Sequence, residues 1–166
     1  MKKISILIIV LTISLVGYSQ TSEDYENRGI AKGDRGDDAG AIIDFTNAIE
    51  INPQDADAYC LRGISKANIG NYKGAIEDYT KSIEIKPTEL AFYKRGASKN
   101  VLKDFYGAIA DCNKVIENNP KCADAYFIRG LAKIALNRKE DGCLDLSRAG
   151  ELGYEIAYET IKKLCQ

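Results

Sequence analysis

The chain has 166 residues, with 23 Lys+Arg against 24 Asp+Glu and neither His nor Trp. That length suits one domain with a real hydrophobic core. A net charge of −1 gives no basic stripe for nucleic acid, and the lack of His removes Ser-His-Asp and Cys-His catalysis and imidazole metal ligation.

Met1-Lys2-Lys3 is a short basic start. Ile4 to Val16 follows, 13 residues apolar except for Ser5, Thr12 and Ser14. A membrane-spanning helix needs about 20, so this run is short for a span. Gly17 and Ser19 then place small residues at the −3 and −1 positions of a cut before Gln20. This order predicts a secretory signal over residues 1–19, rather than a core helix or an uncleaved anchor, and a mature domain over 20–166. No Cys follows the apolar run, so a lipoprotein cut is unsupported. The two-lysine start resembles bacterial signals. The expectation is a periplasmic or secreted product with no stable membrane insertion after cleavage. Cleavage removes Lys2 and Lys3 and no acid from 23 basic and 24 acidic groups, which leaves a net of −3.

Beyond the leader the chain repeats. Arg28-Gly29-Ile30-Ala31-Lys32 returns as Arg62-Gly63-Ile64-Ser65-Lys66, as Arg95-Gly96-Ala97-Ser98-Lys99 and as Arg129-Gly130-Leu131-Ala132-Lys133, at intervals of 34, 33 and 34. An aromatic lies three residues before each Arg: Tyr25, Tyr59, Phe92, Tyr126. Twelve residues after each Gly comes a very small residue (Ala41, Ala75, Ala108, Gly142), and four further on come Phe45, Tyr79, Cys112 and Leu146. Pro53, Pro87 and Pro120 close the first three units. Spacings of three and four mark one buried face on each of two helices per unit, split by turn segments near 33–40 and 70–74. Gly inside a helix costs about 1 kcal/mol against Ala, so its recurrence predicts close contact with a bulky neighbour. The small residue of the second helix is expected to receive the aromatic of the first, and Pro to end each second helix.

These residues resemble the tetratricopeptide repeat: about 34 residues, helix–turn–helix, with aromatic, Gly, small, aromatic and Pro positions in phase. The resemblance covers residues 22–152. It implies an all-α solenoid of four repeats, at about 22–55, 56–88, 89–122 and 123–153. Cys112 departs from the second aromatic position, and the fourth unit runs into Gly150-Glu151-Leu152-Gly153 instead of Pro. Tyr154 to Leu164, with Ile156, Ala157, Ile161 and Leu164 on one face, reads as a capping helix over 154–165, which a solenoid end needs.

An Asp stands sixteen residues after each repeat Arg: Asp44, Asp78, Asp111 and Asp145. Four identical pairs read as structural bridges that align helices, not as catalytic groups. Arg35-Gly36-Asp37 is an adhesion tripeptide on its face, but it sits where the other units turn, as at Gly70-Asn71, and reads as turn chemistry. The five cysteines lack metal-type spacing, and no base accompanies them as a catalytic pair. Cys143 and Cys165 have their midpoint at position 154, at the expected turn, and so lie level in a hairpin; a disulfide between them is expected. Cys112 and Cys122 are less apt, and Cys60 has no evident partner. No catalytic residue, metal site or cofactor is expected.

The resemblance implies a groove lined by the first helix of each repeat, through positions two before Arg (Glu26, Cys60, Tyr93, Phe127), two after it (Ile30, Ile64, Ala97, Leu131) and five before it (Glu23, Asp57, Leu90, Asp124). That groove is acidic at its N-terminal end and apolar, with two aromatics, toward its C-terminal end. A protein or peptide partner in this groove is the expected function; a structural subunit of an envelope assembly, docking by its convex face or ends, is the alternative. Family members that hold the C-terminal tails of cytosolic heat-shock chaperones use a clamp of Lys, Asn and Arg. The aligned residues here are Glu26, Ile30, Leu61, Leu90 and Lys94, of which only Lys94 could serve. Protein isolated from its native envelope is expected to begin at Gln20 on N-terminal sequencing; recovery of Met1 in soluble cytoplasmic material would remove the export reading.

Overall fold

The computed structural model describes residues 20–166; the signal expected over residues 1–19 lies outside them. Nine helices occupy the described residues: α1 (Ser22–Gly33), α2 (Asp38–Ile51), α3 (Ala56–Asn68), α4 (Tyr72–Ile85), α5 (Glu89–Val101), α6 (Phe105–Asn118), α7 (Ala123–Ala135), α8 (Lys139–Glu151) and α9 (Ile156–Leu164). The first eight form four helical hairpins, one per repeat, and each hairpin packs on the next. The molecule is an α-solenoid with a short C-terminal helix.

Local chemistry fixes the joints. Each turn within a hairpin holds one residue in the left-handed region: Gly36 at φ +79°, Gly70 at +81°, Lys103 at +66° and Asn137 at +60°. Gly takes that conformation without a Cβ penalty, so Arg35-Gly36-Asp37 is such a turn. The next residue caps the second helix in three of the four hairpins: Asp37, Asn71 and Asp104 accept the backbone N–H of Gly40, Gly74 and Gly107. In the fourth, Arg138 occupies the cap position and pairs instead with Asp141 at 2.6 Å. Pro53, Pro87 and Pro120 each stand two residues beyond the end of a second helix, where Pro cannot extend it.

The glycines of the first helices receive the second helices. A Cβ on Gly29 would stand 2.7 Å from the Phe45 ring, and one on Gly63 would stand 2.7 Å from Tyr79. The aromatic that needs room is therefore the one on the second helix, and the glycine that gives room is on the first. This corrects the expectation that Ala41, Ala75, Ala108 and Gly142 receive the first-helix aromatics. Those first-helix rings lie instead under their own arginines, with the guanidinium carbon 4.8–5.6 Å from the ring centroid. The third hairpin has Cys112 in place of an aromatic, and the fourth closes backbone on backbone: a Cβ on Gly142 would lie 2.6 Å from the Gly130 carbonyl oxygen. Between repeats the core is Ala48, Ile49 and Ala58, then Cys60, Tyr79 and Ala91, then Cys112, Val115 and Ala125.

Successive first helices also touch (α1 with α3, α3 with α5, α5 with α7), whereas no comparable packing joins successive second helices. The array therefore bends toward its first helices, which line the inner face.

The last helix begins at Ile156, two residues later than the sequence reading placed it. Tyr154 lies in the turn, where Gly153 has φ +95°, and its ring stacks on Phe127 at 4.6 Å between centroids. Helix α9 packs on α8, buries Ala157 and lays Tyr158 against Gly150. A nine-residue helix is too short to hold itself in water. Cys143 in α8 and Cys165 at the end of α9 are joined, with Cα atoms 5.9 Å apart. Closing a loop of this length contributes about 2–4 kcal/mol. Peptide mapping without reductant is expected to yield a Cys143–Cys165 linked peptide, and reduction to lower the melting temperature and speed amide exchange in α9 before the rest of the chain. Cys165 recovered as an alkylated free thiol in non-reduced protein would refute the bridge.

Candidate functional site

Two constellations recur on this scaffold. In the first, each repeat Asp is nearly closed from solvent: its side-chain exposure is 1% at Asp44 and 7% at Asp145, the two extremes. The guanidinium sixteen residues earlier donates Nε and Nη2 to its two oxygens, the Nη2 contacts being 2.5–2.7 Å. A lysine one turn further along the first helix (Lys32, Lys66, Lys99, Lys133) reaches the same carboxylate at 2.7–2.8 Å. The remaining arginine nitrogen crosses to the preceding repeat: Arg62 Nη1 donates to Thr46 Oγ1, Arg95 Nη1 to Thr80 Oγ1 and Arg129 Nη1 to Asn113 Oδ1. The lysine was visible in the repeat but had no assigned role, and the Thr46, Thr80 and Asn113 acceptors gave no signal before the helices were placed side by side.

These carboxylates are saturated by fixed cations and have no free geometry for proton transfer. Bonding to Arg28, then to Lys32, holds the Asp44 carboxyl below its ordinary value against the opposing effect of burial. A depressed carboxylate stabilises the fold above its unfolded pKa, about 3.9, and that contribution disappears as pH falls through the lower folded value.

The second constellation is the inner face. Glu23 and Asp57 are exposed, and Glu26 is half-buried. Burial, and then the nearby Asp55 carboxylate, raise the Glu26 carboxyl above its ordinary value. Ile30 and Leu90 are 40% and 48% exposed, large apolar side chains open to solvent. Ile64, Ala97 and Leu131 are half-buried beside them. Tyr93 donates its hydroxyl to Asp124 at 3.4 Å, burial pushes its phenol up to about 12, and Lys94 lies 5.4 Å from its ring centroid. Two placements differ from a simple lining role. Cys60 is 4% exposed and belongs to the core beneath the face, where burial pushes its thiol up to about 11. Phe127 is occupied by Tyr154, so it serves the C-terminal end as well as the face. The sequence reading did not assign Asp34, Phe45, Val115 or Cys122 to this surface, although each borders a cavity on it.

A family model for the tetratricopeptide repeat matches residues 56–89. A solved structure of the first such domain of Spaghetti (RPAP3), bound to the HSP90 peptide SRMEEVD, is 30% identical over 68% of this chain and 92% of that chain, with a TM-score of 0.65. The chain belongs to the tetratricopeptide repeat family. MamA from Desulfovibrio magneticus RS-1 is 25% identical, covering 81% of this chain and 76% of that one at a TM-score of 0.76. TTC0263, a thermophilic protein from Thermus thermophilus, shares the fold at 18% identity, with 80% and 75% coverage and a TM-score of 0.68. A search of curated protein sequences gives no match.

In this tetratricopeptide chain the Arg–Asp–Lys clusters belong to the scaffold. Arg62→Ala strands Asp78 with Lys66 alone and releases Thr46. It is expected to cost about 3 kcal/mol, in the range for breaking a buried pair, and to leave partner binding unchanged. Thermal melts of the two proteins, repeated between pH 7 and pH 2, check both this and the acid-side loss of stability. Unchanged stability with lost binding would move the cluster into the functional site.

Proposed function

We propose that this chain is a non-catalytic interaction scaffold that acts in the periplasm or outside the cell and holds a peptide or a segment of a partner protein on its inner face. The observation that carries the reading is the pairing, on that face, of open apolar side chains at Ile30 and Leu90 with carboxylates at Glu23, Glu26, Asp57 and Asp124. Among the described residues the buried acids Asp44, Asp78, Asp111 and Asp145 are each matched by cations, whereas the four on the inner face form no ion pair. Large exposed side chains on the second helices are Ile43 and Ile51, eight residues apart on α2, Tyr106 on α6 and Leu144 on α8. Scattered apolar residues of this kind are ordinary on any surface, whereas Ile156, Tyr158 and Leu164 of α9 are the apolar set that docking by the C-terminal end would use. This favours the inner face over the convex face as the docking site. Peptide-bound relatives, with HSP90 and HSP70 peptides, support a peptide-holding role. Export is supported by the basic, apolar and small-residue order of residues 1–19, and the Cys143–Cys165 bridge agrees with an oxidising compartment.

The acidic face argues against a chaperone tail as the ligand. The HSP90 peptide held by the relative reads SRMEEVD, three of whose residues are acidic, and here it would meet Glu26, Ile30, Leu61 and Leu90 at clamp positions, with Asp57 nearby on the same face.

Glu26→Lys is expected to weaken capture of the partner from envelope extract while the circular dichroism melt stays within a few degrees of the parent. Tyr93→Ala is expected to weaken capture and also to lower the melt, because Tyr93 packs against Cys112, Val115 and Ala125. Glu26→Lys should also change the salt dependence of capture. Phe127→Ala is expected to weaken capture and also loosen α9, because it removes the partner of Tyr154. Capture equal to the parent's in all three variants would transfer the site to the convex face.

A further inference from the structure

Three cavities cross the inner face and share walls. The first, of about 210 Å³, opens between α1 and α3 over Ile30, Phe45, Leu61 and Ile64, with Asp34 and Asp38 at its rim. The second, of about 310 Å³, opens between α3 and α5 over Cys60, Leu61 and Leu90, with Asp57 at its rim. The third, of about 330 Å³, is lined by Leu90, Tyr93, Val115 and Cys122, with Glu89 and Asp124 at its rim. Leu61 belongs to the first two and Leu90 to the last two. The cavities therefore form one oblique apolar track from the first repeat to the start of α7.

Gly33 occupies a position that is Ala67, Asn100 and Ile134 in the later repeats, and a Cβ on Gly33 would meet nothing within 4 Å. Gly33 is itself one of the residues that line the first cavity.

The rim has one sign. Asp34, Asp38, Asp57, Glu89 and Asp124 form no ion pair among the described residues. Asp38 and Glu89 accept only from the amides of Asn68 and Asn119, and Asp124 only from the Tyr93 hydroxyl. Lys94, over the Tyr93 ring, is a cation beside the track. Packed helices stand about 8–10 Å apart, so cavities in successive inter-helix grooves lie about 10 Å apart, and more where the track runs obliquely. An extended chain covers that distance in roughly three to four residues. A helical ligand would space the same anchors about seven residues apart, at about 1.5 Å per residue, and would turn most of the residues between them away from the rim carboxylates.

Resting on the inner-face reading, we infer that this track binds an extended, basic segment of a partner protein, with one aliphatic side chain in each cavity, neighbouring anchors three to four residues apart, and Lys or Arg between them facing the rim carboxylates. An extended backbone leaves the residues between anchors free to turn toward either rim. It tolerates Pro, which a helical ligand does not.

The probe is the blocked, fluorescein-labelled peptide Leu-Lys-Pro-Arg-Leu-Pro-Lys-Leu, together with its reversed sequence to serve the opposite chain direction. Titration with the disulfide-intact chain from Gln20 to Gln166 is read by anisotropy. One of the two peptides is expected to bind with an affinity that falls as salt is raised. Leu90→Ala and Ile30→Ala, both at open positions, are each expected to weaken it about tenfold. Asp57→Lys is expected to weaken it further at low salt than at high salt. Peptides with Glu in place of Lys and Arg, or with the leucines made adjacent, are expected not to bind. Equal or tighter binding of the Glu peptide, equal binding of the adjacent-leucine peptide, or binding indifferent to Leu90→Ala and Ile30→Ala overturns the inference. If neither basic peptide binds while capture of the partner from envelope extract still depends on Leu90, the ligand chemistry is wrong and the inner-face reading stands. If capture is also indifferent to Leu90 and Ile30, both fall.

Discussion

Each repeat arginine makes contacts that no other side chain in its hairpin could make together. Its fork grips both oxygens of an Asp on the second helix, its stem and plane cover an aromatic one turn back on the first helix, and from the second repeat on its last nitrogen reaches the repeat before. One side chain thus sets the register within a hairpin and between hairpins. A lysine could not replace it, because a point charge has neither the planar fork nor the stacking face. The added lysine on the same carboxylate leaves each site with two cations and one anion, so the interior stays net positive along this line while the surrounding faces carry the acids. The near-zero total charge of the chain therefore conceals a separation: cations committed inside, carboxylates left on the inner face.

The glycine contacts depend on that register. Phe45 and Tyr79 can lie flat against Gly29 and Gly63 only if the two helices meet at the correct height, which the Arg–Asp bridges at the neighbouring positions enforce. Where the aromatic is lost, at Cys112, the nearest atom to a Cβ on Gly96 is 3.3 Å away, and the joint is looser. Where it becomes Leu146, the helices move together onto Gly130 and Gly142. The same backbone plan is held by three different packing solutions, with the charged cluster constant in all of them.

Much of this was legible in the chain itself. The intervals of 34, 33 and 34, the Arg-to-Asp spacing and the glycines gave the hairpins, the bridges and the close contacts, because each is a property of one repeat read along its own sequence. The midpoint of Cys143 and Cys165 at the turn pointed to the joined pair for the same reason. The direction of the glycine contact was misread, because sequence shows that a bulky group and a gap occur together but not which helix supplies which. The buried position of Cys60 and the capture of Phe127 by Tyr154 were not legible either. Both depend on a neighbour outside the repeat, the next hairpin in one case and the chain end in the other. The continuity of the apolar track required Leu61 and Leu90 to be seen between two helices at once, which no alignment of repeats to one another displays.

That distinction between what lies within a repeat and what lies between repeats also governs binding. Affinity on such a face comes from a few anchors placed in water-excluding pockets, while the charges around them set encounter rate and reject wrong partners. Here the pockets fall between repeats and are lined at positions that vary from one repeat to the next, such as the one held by Glu23, Asp57, Leu90 and Asp124, the last three of which border the second and third cavities. The scaffold positions do not vary in that way: Arg, Gly, Lys and Asp recur in all four. A partner therefore reads the variable positions in sequence, one cavity after another, against a backbone spacing that the arginines hold fixed. An acidic segment, such as the chaperone tail bound by the relative, would place its carboxylates beside Asp57 and Asp124, and such like-charge contacts in a partly buried groove act against it. The same rim favours a cation at each cavity, which makes the sign of the ligand a consequence of the rim and its spacing a consequence of the solenoid.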